Sequence, residues 1–143
     1  MFYGTMGIKT IQKLEQTVVK FLNFDGWNLE WSGEGFKSYD AKGFTSKGVP
    51  CVIEMKFRKK YYEDKMLEKY KYDQLMLMDD SIVKLYFIND PKVNCLFWLN
   101  DLEMPEAQDM WCPDTTLWNS KKVKKPCYLL NENLASIINY NDG

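Results

Sequence analysis

A short hairpin with acids near its ends constrains this chain more than any other stretch. Residues 37–57 read KSYDAKGFTSKGVPCVIEMKF, in which two strands meet at a turn that contains Gly48. Glycine readily adopts the left-handed backbone conformation that short hairpin loops require. The second strand, residues 49–57, alternates between the two faces of the sheet. One face carries Val52, Glu54 and Lys56, and the other carries Ile53, Met55 and Phe57.

The length of the turn decides which residues lie opposite each other. A three-residue loop pairs Thr45 with Val49 and brings Asp40 opposite Glu54, whereas a two-residue loop makes the two acids diagonal neighbours. Either register gathers Asp40, Glu54 and Lys56 on one patch of sheet. Because neighbouring carboxylates repel each other, a bound cation is the natural reason to keep both acids there.

The order Tyr39-Asp40, hairpin, Ile53-Glu54-Met55-Lys56 resembles the core of the PD-(D/E)xK nuclease superfamily, with Tyr-Asp in place of Pro-Asp. The likeness extends over roughly residues 9–100, with a helix on each side of the hairpin and two later strands. It implies an α/β (α+β) fold with a restriction-endonuclease-like core, in which helices flank a mixed central sheet of about four to five strands. It also implies a small, resolvase-like or phage-type endonuclease that acts on DNA.

The resemblance implies a role for several residues. Asp40, Glu54 and the main-chain carbonyl of Met55 would bind Mg²⁺ or Mn²⁺, the cations that prefer hard oxygen ligands. Lys56 would orient a water for attack on a phosphodiester, with Glu15 as a further acid at the metal. Lys71 or Gln74, neighbours on a later helix, would complete the catalytic set. The sequence leaves open which of these two does so.

Two helices are expected beside the hairpin. Thr10 is expected to cap the first, which runs to about Asn23 and packs through an apolar stripe. That stripe consists of Ile11, Leu14, Val18, Phe21 and Leu22. Glu15 lies at its border, where it either reaches solvent or turns toward the metal as the resemblance implies. The second helix is expected over residues 64–78. An ordinary ion pair between Glu68 and Lys71 on this helix explains the two charges as well as a catalytic role for Lys71 does.

A basic segment follows the second strand of the hairpin. Arg58, Lys59, Lys60 and Tyr61 form either a solvated strand end or a contact surface for DNA phosphates and bases, and we favour the second. Another basic segment, residues 121–125, is either a second phosphate patch or an edge strand protected by its lysines.

The rest of the chain reads as further strands and connections. Strands are expected over residues 27–31, 82–89 and 93–100, followed by a long loop over residues 101–120. Asn131 is expected to cap a short last helix whose inward residues are Leu134, Ile137 and Ile138.

Composition narrows the possible functions. A chain of 143 residues with a net charge of −1 suggests one domain over residues 1–143, whose binding of nucleic acid must rest on local basic patches. The absence of histidine excludes histidine bases and the common histidine-containing zinc sites. The four cysteines form no CxxC pair, and Cys51 is expected in the core. We expect a cytoplasmic protein without a membrane span, with a homodimer as an option because it would favour cutting of both strands.

Two alternatives to a nuclease remain at this stage. One is a catalytically inactive nucleic-acid-binding or inhibitor protein with the same fold. The other is an interaction protein in which the acids merely pair with Lys37, Lys42 and Arg58.

Overall fold

The computed structural model describes residues 7–33, 38–113 and 122–141. In chain order its elements are α1 (Ile8–Phe24), β1 (Asn28–Trp31), β2 (Ala41–Phe44), β3 (Pro50–Phe57), β4 (Asp64–Glu68), α2 (Lys69–Met76), β5 (Val83–Asn89), β6 (Val93–Trp98), β7 (Gln108–Pro113), β8 (Lys122–Asn131) and β9 (Ile137–Tyr140). Neither of the two described α-helices has the length and apolarity to cross a membrane.

Two sheets organise these elements. The larger has six strands in the order β1-β2-β3-β5-β6-β9, and the smaller has three in the order β4-β8-β7. Strands β3 and β5 run parallel, and the other neighbours are antiparallel. The predicted mixed central sheet is therefore confirmed, although β9 makes it wider than expected.

The hairpin has the register of the three-residue loop. Ala41 faces Ile53 across β2 and β3, and the Thr45 N–H donates to the Val49 carbonyl at 2.9 Å. Gly48 has φ of +77°, the left-handed conformation that closes this turn. The pairing continues to Asp40, whose N–H donates to the Ile53 carbonyl. Asp40 therefore lies beside Glu54.

Strand β3 divides the core into two clusters. Val52 packs in a cluster with α2 and the smaller sheet, whereas Ile53 and Met55 pack in a second cluster beneath α1. This is the predicted alternation. Cys51 is buried in the second cluster, as expected from the sequence.

Helix α1 starts earlier and faces the sheet differently than predicted. Its cap residue is Gly7, and the Ile11 N–H already donates to the Gly7 carbonyl, so Thr10 lies inside the helix and the predicted cap is wrong. Phe21 is 76% exposed, while Val19 is buried. The helix is rotated so that Val19, rather than Phe21, belongs to the buried stripe.

The helix predicted over residues 64–78 is wrong in its first five residues, which form β4. Lys65 and Leu67 are buried while Met66 and Glu68 are only partly buried, which is the two-residue period of a strand. The strand forms because it pairs with β8, a partner far away in sequence. The Lys65 charge is balanced by Asp90 at 2.6 Å and Glu132 at 3.5 Å.

This buried ion cluster predicts a large loss of stability on removal of its cation. In Lys65→Met, Asp90 and Glu132 would remain buried without a cation, which typically costs about 3–5 kcal/mol. Lys69→Met is the matched control, because the Lys69–Asp73 pair is exposed and such pairs contribute about 0–1 kcal/mol. Urea unfolding measures both variants, and equal losses would contradict the assigned role of Lys65.

The C-terminal predictions are only partly correct. Part of the expected loop over residues 101–120 is β7, and residues 114–121 lie outside the described structure. Strand β8 is the middle strand of its sheet, but among the described strands residues 122–126 pair with β7 alone, because β4 pairs with β8 only from Cys127 to Asn131. The lysine segment therefore has one open edge, as the edge-strand interpretation predicts. The Asn131 side chain accepts from the Asn133 N–H at 3.0 Å, but it caps a 3₁₀ turn (Glu132–Leu134).

The predicted last helix is instead strand β9, which pairs with β6. Ile138 lies opposite Cys95 and packs partly buried against the core. Leu134 and Ile137 are almost half exposed, so their predicted inward packing is wrong. A sheet edge was available for pairing, and backbone hydrogen bonds to β6 outweigh a weak helical pattern.

Candidate metal and active site

Asp40 is fixed at the point where β2 begins. Its Oδ2 accepts a hydrogen bond from the Met55 N–H at 2.7 Å, so the carboxylate serves as the acceptor for this amide in β3. The N–H and C=O of one strand residue point toward the same neighbour. The Met55 carbonyl therefore faces the side of Asp40, beyond the last pair of β2 with β3.

Glu54 is buried and pairs with helix α2. Its Oε1 lies 3.2 Å from Lys71 Nζ, and the Lys71 side chain remains 39% exposed. The same ammonium lies 4.0 Å from Glu68. Of the two residues left open by the sequence, the structure brings Lys71 to Glu54, while Gln74 lies half-buried one turn further along.

The environment favours protonation of both acids when no cation is present. Burial raises the pKa of Glu54 to about 7, and the Asp40 charge adds to this, against the opposing effect of Lys71. Burial also raises the pKa of Asp40, although the hydrogen bond from the Met55 amide opposes it. Protons therefore compete with a cation for these two carboxylates more strongly than they would at exposed acids.

Lys56 shares the sheet face of Glu54 and has a perturbed ammonium. Burial lowers the pKa of Lys56, and the nearby charges of Lys71 and Arg58 lower it further. A lowered pKa makes a lysine a better proton acceptor in its neutral form, and its ammonium form donates a hydrogen bond to water.

Glu15 reaches this cluster from α1. It is buried, which rules out the solvent-exposed alternative, and its Oε1 accepts from Trp31 Nε1 at 3.0 Å. Burial raises the pKa of Glu15, opposed by the Trp31 hydrogen bond, and the Asp40 charge raises it further. The three acids Glu15, Asp40 and Glu54 are therefore electrostatically linked.

No sequence pattern points to Trp31 as the partner of Glu15, and this contact leads to a test. Trp31→Phe removes the donor and keeps most of the ring, so Glu15 loses its fixed orientation. Loss of such a supporting hydrogen bond typically costs about 10–100-fold in metal affinity, and we expect a reduction near the lower end for Mn²⁺ by calorimetry. Trp27→Phe is the control, because Trp27 packs against the same buried cluster beneath α1 as Trp31 does. Equal Mn²⁺ affinities of the wild-type protein and the two variants would show that Trp31 does not support the metal site.

The basic segment after β3 divides in two. Arg58 is half-buried, with its N–H on the Asn89 carbonyl, and its Nε is buried without a partner among the described residues. Lys59 and Lys60 are exposed.

The Tyr61 hydroxyl donates to Glu132 at 3.0 Å, with Lys65 Nζ 4.5 Å from the Tyr61 ring centroid. Tyr61 thus joins the buried ion cluster of Lys65, and the structure does not bring it to Asp40 and Glu54.

The second basic segment lies closer to the site than its sequence position indicates. Lys125 Nζ contacts Glu68 at 3.1 Å, and Glu68 in turn approaches Lys71. Lys124 Nζ lies 5.4 Å from the ring centroid of Trp111, and Lys121 lies outside the described residues. A chain of charges therefore connects Glu54 through α2 to β8.

The interaction-protein alternative predicted different ion pairs. Among the described residues, the Glu54 partner is Lys71, and no ion pair joins Asp40 or Glu54 to Lys42 or Arg58. Lys37 lies outside the described residues. The pairing predicted by that alternative is therefore wrong for Lys42 and Arg58.

The donor atoms suit a hard divalent cation. Asp40 uses Oδ2 on Met55, and Glu54 uses Oε1 on Lys71, which leaves the second oxygen of each carboxylate for a cation. Over residues 7–33, 38–113 and 122–141, no three acidic or thiol side chains form a ready-made metal cluster. The Met55 carbonyl would supply the third oxygen, and the contact of Lys71 with Glu54 Oε1 leaves the other oxygen of Glu54 available. The oxygen donors of Asp40, Glu54 and Met55 therefore fit Mg²⁺ or Mn²⁺.

Comparison with known proteins supports the fold alone. No family model matches the chain, and no curated protein sequence matches it. Among solved structures, it is similar to Hjc of Archaeoglobus fulgidus, a Holliday junction resolvase from an archaeal hyperthermophile, with a TM-score of 0.56 and 15% identity. The match covers 84% of this chain and 89% of that one. The chain thus has the restriction-endonuclease-like fold that the sequence predicts.

Proposed function

We propose that this protein is a metal-dependent endonuclease that hydrolyses phosphodiester bonds in DNA. The observation that carries the proposal is the convergence of Asp40, Glu54 and Lys56 at the start of β2, with Met55 N–H fixing Asp40 at 2.7 Å. Buried, mutually repelling acids are costly for a purely structural protein. The resolvase of similar fold is consistent with this activity.

Asp40, Glu54 and the Met55 carbonyl would hold Mg²⁺ or Mn²⁺, with Glu15 as an additional oxygen donor. When bound, the cation supplies positive charge at the scissile phosphate and acidifies water. Asp40 and Glu54 must both be ionised to bind it, so their raised pKa values make binding weaker at acidic pH.

The lysines contribute the remaining chemistry. Lys56 lies on the face of Glu54 and would donate a hydrogen bond to the attacking water or accept its proton as the new P–O bond forms. Lys71, which contacts Glu54 through Oε1, would lie beside the reacting phosphate and offset its developing negative charge. The leaving 3′ or 5′ oxygen takes its proton from solvent in this scheme.

We further propose that Lys59 and Lys60 contact phosphates that flank the one being cut. Both are exposed and follow β3 directly. Each phosphate contact to duplex DNA changes the slope of log affinity against log salt by about 0.9. Lys59→Ala/Lys60→Ala should therefore flatten the slope by at most about two such contacts, measured in Ca²⁺ to prevent cleavage.

A matched control exists on α1. Lys9→Ala/Lys20→Ala removes the same charge from exposed positions on the helix that covers the other face of the sheet. Arg58 stays intact in both proteins because it is half-buried. If the α1 pair carries the salt dependence, DNA does not approach along the proposed side.

Calorimetric titration with Mn²⁺ separates the nuclease from an inactive DNA-binding protein of the same fold. We expect one binding event that weakens strongly in Glu54→Gln and is unchanged in Glu30→Gln, an exposed acid on β1. Undetectable Mn²⁺ binding by the wild-type protein would favour the inactive alternative.

A further inference from the structure

An open groove of about 510 Å³ lies on the large sheet beside the candidate site. Its lining comes from β1, β2, β3 and the segment after α2. Lys42 faces Val52 across the sheet, and Glu30 faces Lys42. Because paired residues project to the same side, the groove opens on the face that carries Glu54. Helix α1 packs on the opposite face.

The groove lies next to the acid cluster, since two of its lining residues are close in sequence to Asp40 and Glu54. Val52 lies in its floor, two residues before Glu54, a separation of about 7 Å along a strand. Tyr39 lines it and directly precedes Asp40. A polymer whose phosphate lies at Asp40 and Glu54 would therefore place its adjoining unit in the groove.

The chemistry of the lining resembles what an unstacked nucleobase requires. Tyr39 and Phe44 provide aromatic surface, and Phe44 is 47% exposed. The amide of Asn28, the carboxylate of Glu30 and the ammonium of Lys42 line the same groove. Bases taken out of a duplex are commonly recognised by stacking on aromatic rings and by hydrogen bonds to their edges.

We propose that this groove binds the base of an unpaired nucleotide adjoining the phosphate that is cut. Phe44 and Tyr39 would supply stacking, while Asn28, Glu30 and Lys42 would contact the edge of the base and its phosphate. The inference rests on the proposed nuclease function and adds a substrate class: DNA in which at least one nucleotide beside the scissile bond is unpaired. A fully paired duplex keeps its bases stacked and leaves the groove empty.

The test compares Phe44→Ala with wild-type protein on two DNA substrates cut at one mapped phosphate. One has natural unpaired nucleotides beside that phosphate, and the other has abasic sites there. We expect Phe44→Ala to lower kcat/KM by about tenfold on the natural strand, the scale of one lost stacking contact. On the abasic strand, the two proteins should be equal.

Two further variants make the comparison specific. Phe24→Ala removes a phenylalanine that is more exposed than Phe44, at 95% on α1, and should change cleavage of neither substrate. Tyr39→Leu should repeat the pattern of Phe44→Ala. If both groove variants cleave natural and abasic strands exactly as the wild-type protein does, the groove does not bind the base.

A binding measurement separates this inference from the nuclease proposal. With 2-aminopurine as the unpaired base and Ca²⁺ as the cation, binding to wild-type protein should change the fluorescence, and Phe44→Ala should abolish the change. This readout needs no cleavage, so it holds even if the protein proves catalytically inactive. Identical fluorescence in the wild-type protein and Phe44→Ala would overturn the groove assignment by itself.

Discussion

Glu54→Gln should abolish metal-dependent DNA cleavage while leaving the fold intact, and Asp40→Asn should do the same. Each change replaces a negatively charged oxygen donor by a neutral amide at a site with few other donors. We expect kcat/KM to fall by about 10³-fold or more, at least the scale seen when one electrostatic contact to the transition state is lost. Full activity in both variants would remove these acids from the mechanism.

Glu54→Gln should also increase the free energy of unfolding in the absence of metal. The pKa of Glu54 is about 7 in the folded protein, because of burial first and the Asp40 charge second, against an ordinary value of 4.5. The folded state therefore binds more protons than the unfolded state between these values. The free energy of unfolding of the wild-type protein falls as pH rises through this window, and the full penalty is present above pH 7.

Glutamine carries no charge and avoids this penalty. At pH 8 in EDTA, Glu54→Gln should unfold at higher urea concentration than the wild-type protein, by on the order of 2 kcal/mol. Near pH 4 the two proteins should be nearly equal. Glu30→Gln, at an exposed position, should be neutral at both pH values. A less stable Glu54→Gln at pH 8 would mean that the Lys71 ion pair outweighs the cost of burial.

Lys56→Ala should lower turnover by roughly 10²-fold or more while Mn²⁺ binding survives. The lysine handles the water or its proton rather than the cation, and loss of such a group typically costs about 10²–10⁴-fold. Its lowered pKa, caused by burial and then by Lys71 and Arg58, suits that role. Lys69→Ala, at a surface ion pair on α2, is the control for a generic loss of positive charge.

One result would contradict the proposed role of Lys56 in proton handling. If Mn²⁺ affinity collapses together with turnover, Lys56 holds Asp40 and Glu54 in place by charge compensation. Its role would then be to assemble the site, and proton handling would have to come from Lys71 or solvent.

The sequence predicted the parts of the fold that depend on local pattern. The alternation of β3 and the glycine in the turn were sufficient to place Asp40, Glu54 and Lys56 on one patch. Strands β5 and β6 were also predicted, since each is a mainly apolar segment bounded by turn residues. These features require only neighbours in the chain.

The remaining features depend on partners distant in sequence. Residues 64–68 fit a helical pattern equally well, and their pairing with β8 decided for a strand. The contacts of Glu15 with Trp31 and of Glu68 with Lys125 likewise join separate elements. Spacing along the chain could not have revealed them, although a buried position for Glu15 was one of the two alternatives.

The most direct test of the account is cleavage of a panel of linear, supercoiled and branched DNA by the wild-type protein in Mg²⁺ or Mn²⁺. Matched reactions contain EDTA or Glu54→Gln. The account predicts cation-dependent products from the wild-type protein on at least one DNA, none in EDTA, and none from Glu54→Gln that is shown to be folded. Wild-type protein that leaves every DNA intact, or products that persist with Glu54→Gln, would contradict it.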